Sequence, residues 1–356
     1  MEQSGHPYKN LPDRAFWRKA VQNVHPLEIE GWYKKKFEIG ESRIAAAGSC
    51  FAQHIGRQLK AKGFDYLDAE PPPPLLREKD WLDFGYGMYS ARYANIYTPR
   101  QLLQLAQRAT GAFVPQDRAW PKDGGYVDPF RPVIEPEPLA SPDDVDASRM
   151  AHLTAVKRLF GQTEVFVFTL GLTEAWVSKV DGAVFPLAPG VSGGAFDPAH
   201  YAFRNFTFSE VLGDMSDFIA IMRAINPEMK FLLTVSPVPL MATASDQHVV
   251  VATTYSKSVL RAAAGELAAM HDFVDYFPSF EIISSHVMCG QFYEMDKRGV
   301  TKYGVNHVMK QFFREHLPPA SARKQVPEPE AEEAPDDDDV QCEEELLAGD
   351  SETAIA

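Results

Sequence analysis

The run Val165-Phe166-Val167-Phe168-Thr169-Leu170-Gly171 carries apolar side chains at odd and even positions alike. A strand with one wet face would alternate. A run of this kind is covered on both faces, as in a parallel sheet held between two layers of helix. Phe231-Leu232-Leu233-Thr234-Val235 has the same character, Arg43 to Ala47 reads as the first strand, and Phe273 to Phe277 reads as a further one. Helical patterns separate these runs. The first follows Ser49, sets Phe51, Ile55 and Leu59 on one face and ends near Gly63. Another is capped by Thr98, starts with Pro99 and runs to Ala109; a third is opened by Ser141-Pro142 and runs through Leu159. Phe208 to Ile225, about Thr253 to His271, and a closing helix capped by Thr301 complete the set. Phe64 to Leu67 is expected to be a strand. Alternating strands and helices predict an α/β fold, a three-layer α/β/α sandwich with a mainly parallel, flavodoxin-like sheet.

The 356 residues divide into an N-terminal arm (1–40), a main domain (41–317) and an acidic tail (318–356). Pro71-Pro72-Pro73-Pro74 opens an irregular insertion at about 70–142 that interrupts the main domain. Its aromatics, Trp81, Tyr89, Tyr93, Tyr97 and Trp120 among them, suit an ordered loop that either lines a cleft for sugar or acts as a structural flap. The tail includes Asp336 to Asp339 and Glu343 to Glu345, and its composition predicts disorder.

A formal charge of -14 argues against nucleic acid as a partner. Three cysteines, Cys50, Cys289 and Cys342, give neither a disulfide framework nor a metal spacing, and no cofactor is implied. Met1 to Asn10 has no apolar signal region, and no window reaches eighteen apolar residues. These features predict a cytoplasmic protein without a membrane span; they leave the oligomeric state open.

Ser49 stands where the first strand ends and a helix begins. At the carboxyl edge of an α/β sheet that is a ligand-binding position. Serine there either caps the helix or attacks a carbonyl, with its own N–H stabilising the oxyanion.

Gly48-Ser49-Cys50-Phe51-Ala52 resembles the signature of the GSCFA family, a branch of the SGNH (GDSL-like) hydrolases. Thr169 to Trp176, Val235 to Pro239, Ser256-Lys257 with Leu260, and Tyr276 to Ile282 resemble further blocks in the family's order. The resemblance spans roughly Ile44 to Phe313. It implies a serine esterase or acyltransferase acting on acyl-substituted carbohydrate or polysaccharide. Ser49 would be the nucleophile. Gly48, Gly171, Thr173, Glu174 and Trp176 would form the oxyanion or substrate site. Asp296 would orient a histidine. The wider class places that histidine three residues after the Asp, where this chain has Gly299. His248 is the first substitute and His286 the second; His307 and His54 are poorly positioned. The alternative is a non-catalytic glycan-binding or polysaccharide-assembly protein that keeps the hydrolase fold.

Overall fold

The computed structural model describes residues 6–323 and 342–348. In chain order the elements are β1 (Ile44–Gly48), α1 (Phe51–Ala61), α2 (Pro99–Thr110), β2 (Trp120–Lys122), β3 (Gly125–Val127), α3 (Pro142–Gln162) and β4 (Val165–Leu170). There follow β5 (Glu174–Ser178), β6 (Val184–Phe185), β7 (Tyr201–Asn205), α4 (Phe208–Ile225), β8 (Lys230–Val235) and α5 (Val249–Met270). The last are β9 (Val274–Tyr276), α6 (Ser279–Ser284), α7 (Lys302–Glu315) and α8 (Ala320–Arg323).

The central sheet is parallel, in the order β1-β4-β8-β9. Side chains of β4 alternate between two cores. Phe166, Phe168 and Leu170 enter the core shared with α2, α3, α4 and α5, whereas Val165 and Val167 enter the one shared with α1, α6 and α7. That is the three-layer α/β/α arrangement expected from runs apolar at every position.

The segment expected as a strand at 64–67 makes a single bridge, Ile44 to Tyr66. Beyond it the insertion takes over the outer edge of β1. Ser90 Oγ accepts from Ala46 N (3.0 Å), Tyr93 OH donates to Ala46 O, and Ile96 N donates to Gly48 O (2.9 Å). An open edge strand exposes a row of unpaired backbone groups, and here side chains and loop backbone satisfy them. This work buries Tyr89, Tyr93 and Tyr97, and Trp120 packs with Phe185 and Phe130 in a satellite core. These four rings are core side chains and present no open face to a ligand. Two features lay outside the pattern reading altogether. The antiparallel sheet β6-β5-β7 follows β4, and α5 begins four residues earlier than expected because His248 caps it.

Inside the insertion a buried charge cluster ties loop to helix. Asp128 accepts from Arg131 Nε (3.0 Å) and from Arg149 Nη2 (2.7 Å) on α3. The arm is anchored separately. Tyr33 OH donates to Asp275 Oδ2 (2.6 Å) and lies 2.9 Å from His316 Nε2, and Lys36 N also donates to Asp275 (2.8 Å). Tyr33→Phe keeps the ring and removes the bridge. It should lower the unfolding free energy by about 1 kcal/mol, read as a lower denaturant midpoint at unchanged m-value. An unchanged midpoint would show that the Tyr33 bridge adds nothing to the hold on the arm.

The sequence reading treats everything from 318 as unstructured tail. Residues 324–341 and 349–356 lie outside the described residues, but Glu343–Ala348 forms a 3-10 helix, with Glu343 and Glu344 buried.

Candidate active site

The chain leaves β1 toward the 64–67 edge, while β4 lies on the other side. The crevice between their carboxyl ends is therefore the switch point at which open α/β sheets bind ligands. Ser49 closes β1 and Gly171 follows β4. Gly48 has φ +147°, and a Cβ there would stand 2.5 Å from Thr169 O. Only glycine lets the two strand ends turn so close together. A Cβ on Gly171 would stand 2.9 Å from Ser49 Cβ, so the second glycine opens room beside the serine.

Ser49 is 4% exposed. Cys50, not Ser49, is the N-cap of α1, and no side chain caps that helix. Ser49 Oγ is buried without a hydrogen-bond partner among the described residues. The capping reading therefore fails. A buried hydroxyl left unpaired costs about 1–3 kcal/mol, and such a group in a native fold calls for a chemical reason.

The oxyanion donors suggested by the resemblance are engaged elsewhere. Ser49 N donates to Thr169 O (3.3 Å) and Gly171 N to Tyr97 O (3.0 Å). Thr173 N donates to Ser256 Oγ (3.0 Å), and Thr173 Oγ1 to Asn205 Oδ1 (2.7 Å). The insertion brings other buried donors to this region. Asn95 is buried, and its Oδ1 accepts from Tyr89 OH, which itself lies 3.1 Å from Ser49 O. With Oδ1 so occupied, the backbone N–H and side-chain amide of Asn95 both donate to the Glu343 carboxyl of the C-terminal segment. Two donors converging on one carboxyl make an anion cradle of the kind an oxyanion needs, linked to Ser49 O through Tyr89 OH.

No histidine is hydrogen-bonded to Ser49 Oγ among the described residues. His248 is exposed, and its Nδ1 accepts from Val250 N (3.2 Å) as the α5 cap. His286 is exposed and stacks on Trp17. His307 stacks on Phe292, and His54 packs edge-on to Phe51. Asp296 is exposed and closes its own turn, accepting from Arg298 N (2.8 Å) and Gly299 N (3.0 Å). It orients no histidine. Where one was expected, the same turn sends Arg298 into the crevice. Arg298 pairs with Glu344 at 2.9 Å, with the two side chains 13% and 6% exposed.

Lys257 enters from α5. It is 2% exposed, and its Nζ donates to Gly171 O (2.7 Å). Burial lowers its pKa to about 8, with the charge of Glu344 acting the other way. Cys50 and Cys342 share a hydrogen bond that raises the first thiol and lowers the second; Arg298 also favours the Cys342 thiolate. Glu174 and Trp176 line a cavity of about 210 Å³ with Leu172, Leu240, Glu344 and Leu347. Burial raises the Glu174 pKa, although it accepts from Thr243 Oγ1 (2.8 Å).

Residues 43–312 match the GSCFA family. The chain belongs to the GSCFA family. No curated protein matches it. Among solved structures it is similar to a serine-to-alanine mutant of an acetyl esterase with acetate ion, at 10% identity and a TM-score of 0.32, covering 76% of this chain and 94% of that one. In this GSCFA chain no group of three His, Cys, Asp or Glu among the described residues could hold a metal ion, and no described helix is long and apolar enough to cross a membrane.

Of the residues read from sequence, Ser49, Gly48 and Gly171 come together, and Glu174 and Trp176 form an adjoining wall. Asp296 and His248 do not join them. Three residues of the crevice were missed as chemistry: Asn95, Lys257 and Arg298. For Lys257 a signal existed, since it shares a helix face with Leu260, Ala264 and Leu267. A lysine in an apolar stripe is rarely buried without a purpose.

Proposed function

We propose that this chain is a serine-dependent acyl hydrolase or acyltransferase in which Lys257 replaces the missing histidine. The unpaired, buried Oγ of Ser49 at the switch point carries the reading. A lysine with a pKa near 8 is partly neutral at physiological pH and can serve as base; serine–lysine pairs do this work on other folds. The Ser49 Oγ–carbon bond forms as its proton passes to Lys257 Nζ. The Asn95 donors hold the oxyanion. The ester C–O bond then breaks, and the leaving oxygen takes the proton from Lys257. Water, or an acceptor hydroxyl, attacks the acyl-enzyme and gives its proton to Lys257, and Lys257 passes that proton to Ser49 Oγ as the acyl C–O bond breaks. Trp176 and Glu174 offer a stacking face and an acceptor, which suits an acyl-substituted carbohydrate as the substrate.

A fluorophosphonate should label the chain at Ser49 and leave Ser49→Ala unlabelled. Lys257→Met should slow labelling at least tenfold. No labelling at all, even with Glu343→Ala and Glu344→Ala in the same chain, would sink the serine reading. It would favour the non-catalytic one, a glycan-binding or assembly protein, which is supported by the absence of a histidine at Ser49 Oγ among the described residues.

A further inference from the structure

Arg298 poses a question that the esterase chemistry does not answer. Its ion partners among the described residues are Glu344 (2.9 Å) and Glu345 (3.9 Å), both from the C-terminal segment. Its Nε is buried with no hydrogen-bond partner among the described residues. A guanidinium presents a planar fork suited to two oxygens of one anion, and here that fork is only partly used. The same segment sets Glu343 into the Asn95 cradle, Cys342 against Cys50, and Leu347 into the cavity beneath Trp176. Residues 342–347 thus reach Asn95, Arg298, the thiol next to Ser49 and the cavity wall, and the charge of Glu344 acts on Lys257.

The segment is a poor piece of core. Two successive glutamates are buried, and burial raises the Glu343 pKa to about 8 and the Glu344 pKa to about 7. Burying carboxyls is unfavourable, so this segment is held less firmly than its burial suggests. Its presence also opposes catalysis electrostatically, because the Glu344 charge favours the protonated form of Lys257. A built anion receptor filled by a weakly held acidic segment of the same chain is the arrangement of an internal pseudosubstrate.

We propose that Arg298 forms an anion-binding subsite beside Ser49, that the substrate carries a carboxylate which docks there, and that Cys342–Ala348 occupies the subsite as a built-in inhibitor. The substrate half rests on the esterase reading above; the subsite and its occupant do not. An external acyl ester with a carboxylate would displace Glu344 and use the Arg298 fork more fully. Its carbonyl oxygen would take the place of the Glu343 carboxyl in the Asn95 cradle.

The test uses the full chain carrying Glu343→Ala and Glu344→Ala, which removes the anchors of the segment. Its activity toward a neutral aryl acetate and an aryl hemisuccinate is compared with wild type. Both rates should rise at least tenfold, with kcat/KM for the hemisuccinate rising more. Adding Arg298→Gln should abolish the hemisuccinate preference, kcat/KM for the hemisuccinate falling at least tenfold more than that for the acetate. A labelled peptide of residues 342–348 should bind the released chain, and should bind at least tenfold more weakly when the peptide carries Glu344→Gln or the chain carries Arg298→Gln. Peptide binding of this kind without turnover of either ester supports the subsite and sinks the esterase reading. Unchanged rates with no peptide binding overturn the inhibitor while leaving the esterase reading intact. Equal use of the two esters, unaffected by Arg298→Gln, overturns the carboxylate substrate.

Discussion

Asn95→Ala should lower kcat toward a small acetyl ester about 100- to 1,000-fold with little change in KM. That is the usual loss when one preorganised oxyanion donor is removed. The expectation follows from where the donors are. Ser49 N and Gly171 N are bonded to carbonyls, at 3.3 and 3.0 Å, whereas the Asn95 N–H and amide converge on a carboxyl group. Because Asn95 also accepts from Tyr89 OH, the alanine variant leaves that hydroxyl short of a partner and can lose stability. Asn95→Asp separates the two effects. It keeps the acceptor for Tyr89, replaces the amide donor with an acceptor, and should lose as much rate. The measurement belongs both in the wild-type chain and in the chain released by Glu343→Ala and Glu344→Ala. If kcat survives both substitutions in the released chain, the oxyanion site lies elsewhere.

Asp128→Asn should destabilise the fold by about 3–5 kcal/mol, the range for breaking a buried ion pair on one side only. Asp128 and Arg131 are almost fully buried, so the variant strands the Arg131 guanidinium and leaves Arg149 with Asp146 (3.1 Å) as its remaining ion partner. Burial pushes the Asp128 carboxyl up, but the Arg131 and Arg149 charges outweigh it and hold the group well below the usual carboxylate range. A carboxyl depressed in the folded state contributes stability above its unfolded pKa of about 4 and loses it as pH falls toward the folded value. The stability gap between wild type and variant should therefore be full at neutral pH and shrink below pH 4. Urea midpoints measured from pH 7 to pH 3 check this. A gap that stays constant with pH would mean that the loss is one of packing rather than charge.

The sheet, its parallel sense and its two covered faces are legible in the sequence because runs such as Val165 to Leu170 leave no polar face to expose. The position of Ser49 is legible for a related reason. A buried strand that ends in Gly-Ser before an amphipathic helix has only one edge of the sheet on which to put that serine. Local rules also found the caps at Thr98, Ser141 and Thr301, where a hydroxyl accepts from the helix's own N–H groups.

What the serine meets was decided by the tertiary structure. Asn95 reaches it from an irregular insertion with no periodicity to read, because the open edge of β1 drew that loop along it in place of a second strand. Arg298 enters the crevice because Asp296 binds the backbone of its own turn instead of a histidine. The C-terminal segment looks like a solvated tail by composition, since hydropathy counts acidic residues as repelled from a core. It docks because Arg298 and Asn95 supply partners for those acids, and no local property of Glu343 and Glu344 reveals a partner that only folding brings within reach.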